Sequence, residues 1–184
     1  EFSPTTAVER TIENFEREIM PRLGEVPHQV IHNDFHPGNV LVDPELPAYV
    51  VGILDFGDVL YSARIVDVAV SMAYLVTATA PAWPAVQPFL DGYLSQTTLT
   101  DLELELLPGL VAGRLVQRIL LALAEAFYIP ASLAIVADYH GPATRAKAVA
   151  IAPSATSLAR PDRRPLAAAA ASVAVFADPV APRM

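Results

Sequence analysis

Two stretches decide the fold: Val30-Ile31-His32-Asn33-Asp34-Phe35-His36-Pro37-Gly38-Asn39-Val40-Leu41 and Gly52-Ile53-Leu54-Asp55-Phe56-Gly57-Asp58. In each, a short apolar run delivers a polar cluster at its end. Val30-Ile31, Val40-Leu41-Val42 and residues 49–54 are β-branched or aromatic enough to predict short strands. Asp43-Pro44-Glu45-Leu46-Pro47 is turn chemistry, so the second and third strands should pair as a small antiparallel hairpin. A loop, a hairpin and a second loop then return both polar clusters to the same end of the sheet.

Outward from this core the period changes from two to that of a helix. Upstream, Val8, Ile12, Phe15 and Ile19 share one helical face behind a Thr6–Glu9 capping-box pattern, and the helix should end near Pro21. Downstream, Ile65, Val66, Ala69, Met72, Ala73 and Val76 recur three and four apart, so helix is expected from Ser62 onward. A further helix is expected over 85–95. A longer one should start at Thr100, where Thr100 and Glu103 again match a capping box, and run to about Ala126, kinked or split at Pro108-Gly109. The longest uncharged stretch, 68–90, is broken by Pro81, Pro84 and Pro88, which predicts helical pieces rather than a membrane span of about 20 residues.

A length of 184 residues suits one domain, and 53% hydrophobic against 17% charged side chains suffices for a core. The net charge of −8 opposes binding to nucleic-acid phosphates or anionic membranes and favours cationic small molecules or metal ions. With no cysteine, disulfides, thiolate metal sites and cysteine nucleophiles are excluded together, and a cytoplasmic location is expected. The start, Glu1-Phe2-Ser3-Pro4, has no signal-peptide features and is expected to be a truncation point. Charge divides the chain: residues 1–140 hold 18 acidic and 6 basic side chains, while 141–184 hold 2 and 6. The second segment has 15 Ala, 6 Pro and Phe176 as its only aromatic, so a poorly ordered tail is expected after a folded unit over 1–140.

His32, Asp34 and Asn39 fit H-x-D-x-x-x-x-N, the pattern of kinase catalytic loops, in which Asp accepts the substrate hydroxyl proton and Asn holds a metal ion. Asp55, at a strand end, is placed to hold the Mg²⁺ that bridges nucleotide phosphates, and Gly57 lets the chain turn behind it. Phosphoryl transfer rests on positioning and charge stabilisation, so a base and two oxygen ligands for a metal form a sufficient set. Singly, Asp55 reads as a turn residue, Asn39 as a cap and His32 as a core histidine. Jointly the pattern is expected by chance only about 0.003 times in this composition, and the functional reading wins.

These two stretches resemble the aminoglycoside phosphotransferase and choline kinase superfamily, and within it the hydroxylysine kinase-like branch. The resemblance covers about residues 8–126. It implies an α+β, mostly helical chain forming the larger, C-terminal lobe of a protein-kinase-like fold, with a small β-hairpin carrying the catalytic and metal-binding loops. It further implies ATP and Mg²⁺ as cofactors, Asp34 as catalytic base, Asn39 and Asp55 as Mg²⁺ ligands, and His32 as a loop-shaping residue. Asp67 would brace the loop by accepting its backbone N–H groups; read without the resemblance, it is a first-turn Asp favoured by the helix dipole. His36 and Asp58 match the family pattern without an assigned role. The family's glycine-rich phosphate loop and its nucleotide-anchoring lysine lie in a smaller lobe upstream of the catalytic loop. The chain's one lysine is Lys147, far downstream, so a missing N-terminal lobe is expected.

Three functions compete on this reading. The first is a kinase phosphorylating a hydroxyl of a small, amine-bearing, cationic molecule, of which this chain is a fragment. The second is a non-catalytic lobe that binds a partner without turnover. The third is a metallohydrolase built on His32, Asp34 and His36 with Asp55 or Asp58. Arg114 and Arg118, four apart on the long helix, are expected to be solvated or paired with Glu and Asp, with a substrate or phosphate role as the alternative.

Overall fold

The structure, a computed structural model, describes residues 4–77 and 81–139 together with Thr144 and Val173. Helix α1, Pro4–Asn14, continues through a π-helical turn, Phe15–Ile19, and a 3-10 segment, Met20–Glu25. Then come strands β1, His28–Ile31, β2, Val40–Val42, β3, Val50–Ile53, and β4, Leu60–Ala63. Helices α2, Ile65–Leu75, α3, Ala82–Leu94, and α4, Asp101–Tyr139, complete the order. The chain is mostly helical with two small antiparallel sheets, as a kinase-like lobe requires.

The predicted hairpin is present: β2 and β3 pair with Val40 opposite Ile53, Leu41 opposite Gly52 and Val42 opposite Val50, the register slipping by one between Leu41 and Val42. A second ladder, not expected, pairs β1 with β4, Val30 facing Tyr61. Ser62 is therefore strand, and helix starts only at Ile65. The periodic apolar residues after 62 conceal this strand, because its partner lies more than 30 residues upstream. The ladder presses Ile31 and Ala63 inward, both buried, and delivers the chain to the loop at 32.

Seven of the 11 residues of α2 are buried, so this helix is the centre of the core. Val86 and Leu90 of α3 pack there, as do Leu106, Leu107, Val111 and Leu115 of α4. Residues 101–128 of α4 are long and apolar enough to cross a membrane. In this fold the helix packs its first half into the core, while Leu120, Leu121, Leu123, Phe127 and Tyr128 are exposed. Pro108 and Gly109 neither split nor end it.

Two glycines let α4 approach the π-helical turn. A Cβ on Gly109 would lie 2.5 Å from Ile19 Cδ1, and one on Gly113 would lie 3.0 Å from Phe15 Cδ2. The start of α4 is fixed by the expected capping box: Glu103 N–H donates to Thr100 Oγ1 at 3.2 Å and Thr100 N–H to Glu103 Oε2 at 2.8 Å. Glu103 is fully buried, and Arg64, between β4 and α2, grips it with two bonds of 2.7 and 2.8 Å. Burial pushes the Glu103 carboxyl up, but the bonds from Arg64 and Thr100 outweigh it and hold the group below its ordinary 4.5. The Thr6–Glu9 pattern forms no such box, since α1 already begins at Pro4 and Thr6 lies inside it. Of the predicted apolar face of α1, Ile19 is buried and Val8 and Phe15 are half-buried, but Ile12 is exposed. The expected boundary at 140 and the order of the tail lie outside the described residues, apart from Val173, which is helical and buried in the core.

Candidate functional site

The site forms where the chain leaves β1. Asp67, in the first turn of α2, accepts the backbone N–H groups of His32 at 2.9 Å and Asn33 at 2.7 Å, one on each oxygen. Asn33 adopts φ 64°, the left-handed conformation that Asn tolerates best after Gly, and the chain reverses there. The His32 ring is buried, with Nε2 2.8 Å from Leu54 O while Nδ1 receives Asp34 N–H at 3.3 Å. That pattern assigns the proton to Nε2 and ties the loop to the end of β3. Phe35 and Phe56 pack on the ring at centroid distances of 5.8 and 5.0 Å. Ser71 Oγ, one turn along α2, sits 2.8 Å from Phe35 O and completes the frame.

Asp34 projects from this loop, half-buried, and every neighbour donates to it. Asn39 Nδ2 contacts Asp34 O at 2.9 Å and Oδ2 at 3.3 Å, and His36 Nε2 is 3.4 Å from Oδ2. His36 also caps the 3-10 turn Pro37–Asn39 by accepting Gly38 N–H at Nδ1. On the other oxygen, Arg114 Nη2 of α4 lies at 2.7 Å and Tyr74 Oη of α2 at 3.5 Å. Tyr74 carries the His36 ring stacked at 4.1 Å, and the Arg118 guanidinium is also 4.1 Å from its centroid. Arg118 donates to Ala73 O at 2.6 Å; burial, with repulsion from Arg114, pushes its pKa down.

Asp55 follows β3 after Leu54 and is the second residue with positive φ, 59°. Leu54 N–H donates to Asn39 O at 2.8 Å, so Asn39 and Asp55 flank one junction of the hairpin. Among the described residues the Asp55 carboxylate accepts no hydrogen bond. Asn39 Nδ2 is committed to Asp34, which leaves Oδ1 as its oxygen donor. Two free hard oxygen donors fit Mg²⁺, which prefers oxygen ligands and keeps several waters. No group of three or more His, Asp or Glu side chains able to hold a metal occurs among the described residues. His32 and His36 use both ring nitrogens within the loop and hairpin, and Asp34 is held by Arg114 and Tyr74 as well.

Sequence reasoning missed Tyr74 and Ser71; it allowed for Arg114 pairing with an acid but did not single out Asp34, 80 residues away. The available signal was the setting of the two arginines. Four apart on an otherwise apolar helix, both fall on or beside its buried face, where a solvated cation has no place.

A loop braced by a helix-borne carboxylate, a half-buried aspartate and a hairpin leading to a second acidic turn together define a kinase-like phosphotransferase lobe. The chain belongs to the phosphotransferase enzyme family, APH, which it matches over residues 4–103. It is 31% identical over 121 residues to the hydroxylysine kinase of Mus musculus, covering 62% of this chain and 32% of that one. To the hydroxylysine kinase of Danio rerio it is 30% identical over 117 residues, 62% of this chain and 33% of that one. The chain thus spans about a third of the length of these relatives. No solved structure matches it.

Proposed function

We propose that this chain is the larger lobe of a cytoplasmic, ATP- and Mg²⁺-dependent kinase that phosphorylates a hydroxyl of a small amine-bearing molecule. The observation that carries this reading is the joint support of Asp34 and the Asn39–Asp55 junction by Asp67 and His32, which holds a base and two oxygen donors on one frame. Asp34 is the base: it accepts the acceptor hydroxyl proton as that oxygen bonds to the γ-phosphorus and the bond to the β–γ bridging oxygen breaks, releasing ADP. Asn39 and Asp55 would hold Mg²⁺, which when bound would neutralise charge on the phosphates. His32 shapes the loop, with its Nε2–H on Leu54 O keeping the catalytic and metal-binding turns in fixed relation. Asp67 sets the backbone on which Asp34 stands. The names of the relatives support hydroxylysine as the first acceptor to assay.

The test is a phosphate-transfer assay on the protein with its upstream coding sequence restored. Turnover lost in Asp34→Ala and in Asp55→Asn is expected. Inactivity with ATP and GTP across amino alcohols, hydroxylysine and aminoglycosides would favour the non-catalytic alternative. In the isolated chain, Asp55→Asn should abolish the NMR response of the 52–58 turn to Mg²⁺ without unfolding; equal responses in both proteins would remove Asp55 as a ligand.

A further inference from the structure

A cavity of about 780 Å³ opens between α1 with its π-helical turn, α2 and α4. Its walls are largely apolar, with Ile12, Phe15 and Val66 among them, and Asn33, Arg114 and Gln117 also line it. Arg114 links this cavity to the site, since it is among the residues lining the cavity and its guanidinium holds Asp34 Oδ1. Asp34 in this state is saturated: Arg114 and Tyr74 approach one oxygen, Asn39 and His36 the other. A carboxylate has about four lone-pair positions, so a hydroxyl can reach it only by displacing a donor.

Arg114, by contrast, has donors to spare. Nη2 serves Asp34 and Nη1 serves Gln117 Oε1 at 2.9 Å, but Nε is buried without a hydrogen-bond partner among the described residues. A buried N–H without an acceptor is rare enough to need a cause. Arg118 adds a second cation beside it, while Asp67, the nearest other acid on α2, has both oxygens turned to backbone N–H groups. The cluster around Asp34 therefore holds two guanidiniums against one available carboxylate, and it favours a further anion. Glu16, on the cavity wall, offers a negative charge to an ammonium.

We propose that Arg114 is the specificity-determining residue for the acceptor: it binds a carboxylate of the acceptor in exchange for Asp34. The exchange frees Asp34 Oδ1 for the hydroxyl only when the carboxylate has docked. This inference rests on the kinase reading for the role of Asp34, but not for the carboxylate site.

The test compares hydroxylysine with the diamine left by its decarboxylation, by calorimetry on the full 184-residue chain. The amino acid should bind at least about tenfold tighter, equivalent to about 1.4 kcal/mol. Arg114→Gln should erase the difference, and Arg114→Lys should retain part of it. In the unmutated chain, where folding is not in question, the Arg114 Nε–Hε NMR signal should shift with the amino acid and not with the diamine. Equal affinities, binding of neither compound, or a preference that survives in a folded Arg114→Gln chain would overturn the proposal. So would a response of that signal to inorganic phosphate alone, which would assign the anion site to the nucleotide. If the carboxylate preference holds while the two-lobed protein transfers no phosphate, the kinase reading falls and this assignment stands.

Discussion

Both oxygens of Asp67 accept backbone N–H groups, so replacing it with Asn turns one acceptor into an N–H₂ that faces a donor. A buried donor left without its acceptor costs about 1–3 kcal/mol. Asp67→Asn should lower the unfolding free energy by that amount in urea denaturation, and should broaden the NMR signals of residues 32–34; an unchanged midpoint would show the loop to be held by other contacts. Glu103 gives a pH-dependent counterpart. Its folded pKa lies below 4.5, so its contribution is complete above 4.5 and is lost as pH falls through the lower folded value. The stability difference between the wild-type chain and Glu103→Gln should therefore shrink as pH drops below 4.5, and a difference that grew on acidification would contradict the pairing with Arg64. At this scale the sequence was informative wherever partners lie within one motif: His32, Asp34 and Asn39 are separated by two and five residues. The Arg114–Asp34 pair spans 80 residues, and no local pattern encodes it.

At the scale of elements, two identical capping signals had different outcomes. Thr100–Glu103 became a box because Arg64 neutralises the buried carboxylate. Thr6–Glu9 did not, because a proline suited to the first helical turn starts α1 earlier. The β2–β3 hairpin was legible from its own turn, whereas β4 was not, because its register is set by β1 across the whole site. Pro108 removes one intrahelical bond at a cost of about 3 kcal/mol in an exposed helix, yet Leu106, Leu107, Leu110 and Val111 are buried around it and hold α4 straight through. Gly109 illustrates the same contest. Ala gains about 1 kcal/mol in helix propensity, but its Cβ would meet Ile19 Cδ1 at 2.5 Å in a buried contact, and overpacking of this kind costs about 1–3 kcal/mol. Gly109→Ala should therefore be destabilising, and Ile19→Val, which deletes that methyl, should recover most of the loss in a double-mutant cycle; additive effects would mean the two residues do not touch.

For the whole molecule the informative feature is an apolar surface on the strand side. Each ladder exposes apolar residues: Val30 is 67% exposed and its cross-strand partner Tyr61 70%, Val50 of β3 is exposed, and Phe56, next to Asp55, is 61% exposed. Adjacent aromatic and β-branched side chains this exposed are of the kind that interaction surfaces carry. In the proposed kinase the cover for this surface is the upstream lobe, which would supply the adenine roof, the phosphate-covering loop and the lysine that orients the α- and β-phosphates. The described chain provides the floor. Over an open floor the phosphates stay solvated, water weakens each charge–charge contact, and the γ-phosphorus is not held in line with a hydroxyl at Asp34. Residues 1–184 alone should therefore show negligible phosphoryl transfer and bind ATP no better than about millimolar, equivalent to about −4 kcal/mol. They should also bind a hydrophobic dye on the strand face, and substituting Val30 and Tyr61 by Thr should reduce that signal. Restoring the upstream sequence should raise nucleotide affinity and remove dye binding together. Turnover by the isolated chain that disappears in Asp34→Ala would refute this dependence on a second lobe while leaving the assignment of the base intact.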